Sequence, residues 1–134
     1  MPQSLTPQQL AYLASEYTQF AATLSRYQNA HADDPGMDPV ALGQQITQLN
    51  NIAQTLANEA LATLFDDAAQ TYANLMKVTA HANQVATSLA QERDQFSRIA
   101  AVAASLLDLG AALTSGDASG VITAIVGCAK AIHA

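Results

Sequence analysis

The chain has 134 residues, half of them hydrophobic with alanine foremost, and its sparse charged residues leave a formal net charge of −6. That length suits a single core, and the hydrophobicity is too high for a disordered chain. Lysine and arginine stand only at 26, 77, 93, 98 and 130, which makes no basic stripe; this argues against nucleic-acid binding and against an electrostatic hold on anionic membranes.

Alanine has the best helix propensity and covers little area, so it favours many helical residues and close helix approaches. β-branched residues never gather into an alternating run, which argues against sheet. The expected fold is therefore all-α: an antiparallel helical bundle of four to five helices in one domain, 1–134. It should have a long central helix (or a helix pair) and an apolar C-terminal helical hairpin.

The first residues have neither the basic start nor the apolar run of a classical signal peptide, so the expected location is the cytoplasm, or export by a leaderless route. Thr6, Pro7 and Gln9 then carry a helix start: a hydroxyl that caps, a proline suited to the first turn, and a glutamine that reaches back. From Pro7, Leu10, Leu13, Tyr17, Phe20, Leu24, Tyr27 and His31 recur at spacings of three and four and form one apolar face. Such a stripe reads as core packing before it reads as a ligand groove.

Segment 32–38, with Asp33, Asp34, Pro35, Gly36 and Asp38, is the clearest turn. Its aspartates lack the alternation and closing glutamate of a calcium loop and read as a solvated inter-helix turn. Asp38 and Pro39 cap and start the second helix. One side of it carries Leu42, Ile46, Leu49, Ala53, Leu56 and Ala60, broadened by Ile52 and Leu61. Opposite lies an uncharged polar face of Gln45, Gln48, Asn51, Thr55 and Asn58, a candidate interaction surface because it meets a second polar surface with little repulsion.

The apolar phase changes at 63–67, which predicts a break with Asp66 or Asp67 as the next cap. Then comes the longest seam, 65–113, whose only glycine is Gly110 and which has no proline. Thr71, Leu75, Val78, Ala82, Val85, Leu89, Phe96, Ile99, Ala103, Leu106 and Leu113 keep helical spacing along it. Unbroken, 67–114 spans on the order of 70 Å, which a compact bundle would fold back. The charged cluster 91–98 is the place for that, with Glu92 and Arg93 on a solvent-exposed part of the stripe and Asp94 and Arg98 as an intrahelical pair. Heptad phase nevertheless runs straight through the cluster from Leu89 to Phe96 and Ala103. One long, bent helix is the expectation.

From 99 to 113 the chain is apolar nearly all round. Gly116 stops a helix, Asp117 or Ser119 caps another, and 121–132 forms the second arm of the hairpin. Ile99, Val102, Leu106, Leu113, Val121, Ile122, Ile125 and Val126 are its candidate core or membrane-active residues. Ala100, Ala104, Gly127 and Ala131 would let its arms approach closely.

Catalytic constellations are scarce. His31, His81 and His133 lie far apart, none with a partner at a metal-binding helical offset; His31 and His133 read as helix-end residues complementing the dipole, and His81 as a polar edge residue. Gly116 and Gly120 bracket a turn without the lysine of a phosphate loop. Cys128 is the lone cysteine and reads as a small buried hydrophobe. No catalytic residue, metal or cofactor is expected. The expected function is non-enzymatic association with protein partners, self-association included, through heptad seams and neutral polar faces. The alternatives are conditional membrane insertion of the C-terminal hairpin, and a small molecule bound in the bundle core near the hydroxyls of Tyr12, Tyr17, Tyr27 and Tyr72.

Overall fold

Each cap signal in the sequence coincides with a helix end. The computed structural model of the protein describes residues 2–58 and 63–133. Helix α1 (Pro7–Ala30) opens on a full capping box: Thr6 Oγ1 accepts the Gln9 amide, and the Gln9 side chain accepts the Thr6 amide. Helix α2 (Pro39–Asn58) follows Asp38, whose carboxylate accepts the Ala41 amide at 3.1 Å. Asp67 caps α3 (Ala68–Leu89) through the Gln70 amide. Gly116, at φ 81°, ends α4 (Phe96–Ser115) in the left-handed conformation that glycine adopts without a Cβ penalty. Asp117 then accepts the Gly120 amide to start α5 (Ala118–His133). Gly120 therefore lies inside α5, and the turn is shorter than the two glycines suggested.

The packing order closes into a ring, α1 beside α2, α2 beside α4, α4 beside α5, α5 beside α3 and α3 beside α1. The whole aromatic and leucine stripe of α1, from Leu10 to Tyr27, is buried in its centre. Each such side chain contributes roughly 1.5–3 kcal/mol on burial. Tyr17 crosses the core to donate its hydroxyl proton to the Leu106 carbonyl at 2.7 Å. Asn83 ties α3 to α1 by donating to the Glu16 carbonyl and carboxylate. Where α2 meets α4, a Cβ on Gly110 would stand 2.5 Å from Ile52 Cδ1, so any larger residue here would displace the Ile52 side chain. Ahead of α1, Gln3 and Phe65 exchange backbone hydrogen bonds as an isolated antiparallel bridge, and Leu5 is buried. On α2, Leu42, Leu49, Ala53 and Leu56 are buried as expected; Ala60 and Leu61 lie outside the described residues.

The expectation of one long helix over 67–114 is not met. The chain leaves the helix after Leu89 and resumes at Phe96. Phase continuity misled because Leu89 and Phe96 both pack on the core, but from two different helices. The break falls in the charged cluster 91–98 and is held by residues far away in sequence. The turn after α1 reaches this loop: His31 Nε2 lies 2.6 Å from the Ala90 carbonyl oxygen, and the Asp34 carboxylate accepts from Arg93 Nε and the Asp94 amide, both at 3.2 Å. Asp94 sits at φ 61°, a left-handed conformation that aspartate tolerates better than most residues. It lies outside any helix, so Asp94 and Arg98 do not stand together on one helix as expected. Glu92 and Arg93 are exposed.

Candidate interaction surface

Helix α5 has the sequence ASGVITAIVGCAKAIH, and only Val121, Cys128 and Ile132 of its 16 residues are buried. Those three fall on one side. The opposite side carries Ser119, Ile122, Thr123, Val126, Gly127 and Lys130, all exposed. Ile122 and Val126 stand 49% and 51% open to solvent, and Leu64 at 59% adds to them. Leu64 and Ile122 line one groove, about 400 Å³ in volume, together with Phe65, Asp66, Asp67, Thr71, Ala118 and Ser119. An ordinary surface helix turns polar residues outward. This one presents large apolar residues on both sides, with Asp117 just before its first turn and Lys130 in its last.

The candidate hairpin residues therefore divide. Ile99, Val102, Leu106, Leu113 and Val121 are core, Ile125 is half-buried, and Ile122 and Val126 are exposed. Two of the small residues singled out for the approach of the arms do not serve it: Ala104 and Gly127 are exposed, and a Cβ on Gly127 would touch nothing within 4 Å, whereas Ala131 is half-buried beside Ala101 and Val102 of α4. The arms also meet where the Ser105 hydroxyl, donating to the Val102 carbonyl, lies 3.3 Å from Cys128 Sγ. Cys128 is the buried hydrophobe expected. Burial pushes its thiol up, with Ser105 opposing, which leaves it unsuited to act as a nucleophile.

On the polar face of α2, Gln48, Asn51 and Asn58 are exposed. Gln45 is not part of a free surface: its amide donates to the Ala100 carbonyl of α4 at 3.1 Å and is half-buried. The Thr55 hydroxyl turns back to the Asn51 carbonyl. Two of the five residues thus spend a donor inside the molecule.

The turn after α1 departs from the solvated reading. The Asp34 side chain is only 7% exposed, and His31 Nδ1 lies 2.9 Å from its Oδ2. His31 does cap α1, but it also stacks on Tyr27 with ring centroids 4.4 Å apart and reaches Ala90. Both ring nitrogens of His31 thus face oxygen atoms of the structure, one in its own turn and one in the loop after α3. Burial alone would raise the Asp34 carboxyl; the Asp94 amide, then His31 and Arg93, outweigh it and hold it below its ordinary value. Sequence reasoning missed this clasp because its members lie in two separate turns. An Asp-Pro-Gly turn signals reversal and carries no sign of the distant loop it will bind.

His81 and His133, far apart in the chain, meet edge to face with centroids 5.1 Å apart. Among the described residues no group of three His, Cys, Asp or Glu side chains gathers around a common point. Of the four tyrosines, Tyr17 and Tyr27 are buried in the core, Tyr72 is half-buried and Tyr12 is exposed. Burial pushes the Tyr17 phenol well up, with Cys128 adding to the effect, which keeps it a donor to Leu106. The chain matches no family model, and comparison with curated proteins and with solved structures found no match.

Proposed function

We propose that the protein is a non-enzymatic helical module that acts by binding another protein surface through the outer face of α5. The observation that carries this reading is the pairing of Ile122 and Val126 on one helix face, both about half open to solvent, with Leu64 in the groove that Ile122 lines. Large apolar side chains gathered in one exposed patch are characteristic of interaction sites, whereas scattered ones are ordinary. Between them Thr123 is short and Gly127 has no side chain, so the helix surface dips and a partner can approach closely. The bundle behind the patch is tightly held by the α1 stripe and the Gly110–Ile52 crossing, which supplies a rigid platform.

The test compares the wild-type chain with Ile122→Glu/Val126→Glu as bait in extracts of the source cells. A partner retained by the first and lost by the second, with unchanged circular dichroism, supports the reading. Equal retention by both removes it.

A second reading is conditional insertion of the α4–α5 hairpin into a membrane. It draws on α4, which is long and apolar enough to cross one by length and composition and is 39% buried over that stretch. Against it, α4 supplies Ile99, Val102, Leu106, Leu109 and Leu113 to the core, so insertion would dismantle the bundle. α5, at 16 residues, is shorter than the ~20 that span a bilayer. Protein association requires no such rearrangement and is preferred.

A further inference from the structure

We propose that His81 and His133 form a two-nitrogen site for a divalent transition-metal ion, which clips the end of α5 to the middle of α3. Helical spacing along the chain hides the site, because its two ligands come from different helices.

The rings meet where α5 packs beside α3, with centroids 5.1 Å apart and planes inclined at 67°. Imidazole nitrogens bind such ions at about 2.0–2.1 Å, so two rings sharing one ion have centroids roughly 4.5–5.2 Å apart for coordination angles from square-planar to tetrahedral. The observed separation falls inside that window. Ring packing alone gives similar distances, so the surroundings decide between the two.

Aromatic rings that pair for stability are usually well buried. Here His133 is exposed and His81 only half-buried. Among the described residues no hydrogen bond or ion pair takes up a nitrogen of either ring, in contrast to His31, whose two nitrogens face Asp34 and Ala90. Their nitrogens are therefore open to a ligand from outside the chain. Both rings line a pocket of about 250 Å³ between the two helices, walled by Val78, Ile125 and Ile132, which has room for bound water. His133 is the last residue of α5, where the carbonyl ends of the helix carry partial negative charge and favour a cation. Lys77 lines the same pocket and opposes the ion, but it is exposed and its charge is screened by solvent.

The donor set selects the metal. No third His, Cys, Asp or Glu joins the pair among the described residues, so water fills the remaining positions. Imidazole suits copper, nickel and zinc, and the usual order of divalent affinities puts copper(II) highest. Magnesium and calcium take oxygen ligands and should not bind.

The experiment titrates the full chain, without an affinity tag and stripped with chelator, with copper(II), nickel(II), zinc and magnesium by calorimetry at neutral pH. A single copper(II) ion should bind, more tightly than zinc or nickel, with no heat from magnesium. His81→Ala and His133→Ala should each weaken copper binding at least about tenfold, since even a residue that merely orients a ligand costs about 10–100-fold when it is lost. Circular dichroism checks that both variants fold. Electron paramagnetic resonance of the copper form gives a second readout, coupling to two nitrogen donors in the wild type and to one in His133→Ala.

Copper binding untouched by either substitution puts the ion elsewhere on the chain and overturns the proposal, as does no binding at all. A signal from a single nitrogen in the wild type, lost with only one of the two variants, makes it an adventitious ion only and overturns the proposal too. The association reading is tested separately, because Ile122→Glu/Val126→Glu leaves both histidines in place.

Discussion

Asp34 accepts the backbone amide of Asp94 at 3.2 Å, joining two turns that stand 60 positions apart. This bond, with those from His31 and Arg93 to the same carboxylate, ties the turn after α1 to the loop between α3 and α4. Its pH dependence follows from the direction of the shift. Asp34 has a folded-state pKa below the ordinary 3.8, so its contribution to stability is fully present above the unfolded value and is lost as pH falls through the folded one. Asp34→Asn should lower Tm at neutral pH. The gap between the two proteins should close on acidification below the ordinary carboxylate range, and thermal melts across an acid series would measure it. A gap that stays constant to the lowest pH would rule out the carboxylate as the acceptor that matters.

Tyr17→Phe removes the hydroxyl that donates to the Leu106 carbonyl while leaving the ring volume. A loss of about 1 kcal/mol is expected from chemical denaturation, in line with a single neutral hydrogen bond. Alkaline stability should change as well. The folded-state pKa of Tyr17 is raised well above 10.0; the unfolded chain releases this proton first, so stability falls as pH rises above the ordinary phenol value. The variant should lose less stability than wild type on that limb.

Two glycines make opposite predictions. Gly110→Ala forces a Cβ to within 2.5 Å of Ile52 Cδ1 and 2.8 Å of its Cγ2; overpacking should cost about 1–3 kcal/mol, partly offset by the better helix propensity of alanine. Ile52→Ala in the same chain should recover much of the loss, a non-additivity that only direct contact produces. Gly127→Ala meets open space and should stabilise the isolated chain by up to about 1 kcal/mol. Denaturant titrations of the four proteins would establish both signs.

What was legible in the sequence was what adjacent residues decide. Thr6 with Gln9, Asp38 with Pro39, Asp67 and Gly116 each act within one turn of backbone, so the helix ends could be read locally, and the buried α1 stripe followed from its spacing. The charged cluster 91–98 marked where the long segment would fold back, and the chain does leave the helix between Leu89 and Phe96; what misled was the heptad phase that runs through it, because His31 and Asp34, which bind this loop, come from another turn. Gln45 looked like free polar surface because its partner is a backbone carbonyl at Ala100, which leaves no trace in side-chain pattern. In α5 the difficulty was different. A helix apolar nearly all round reads as buried on both sides, and only the ring packing order, which puts α3 and α4 on one flank and nothing described on the other, separates Val121 and Cys128 from Ile122 and Val126.

Solution mass tests the central claim most directly, by light scattering over a wide concentration range with flotation on vesicles of the same samples. Self-association through α5, the homotypic form of the association reading, predicts that the wild-type chain rises above its single-chain 14.0 kDa as concentration increases and stays with the protein fraction in flotation, while Ile122→Glu/Val126→Glu remains at the single-chain mass. A wild-type chain that holds the single-chain mass throughout and floats with the vesicles would contradict it.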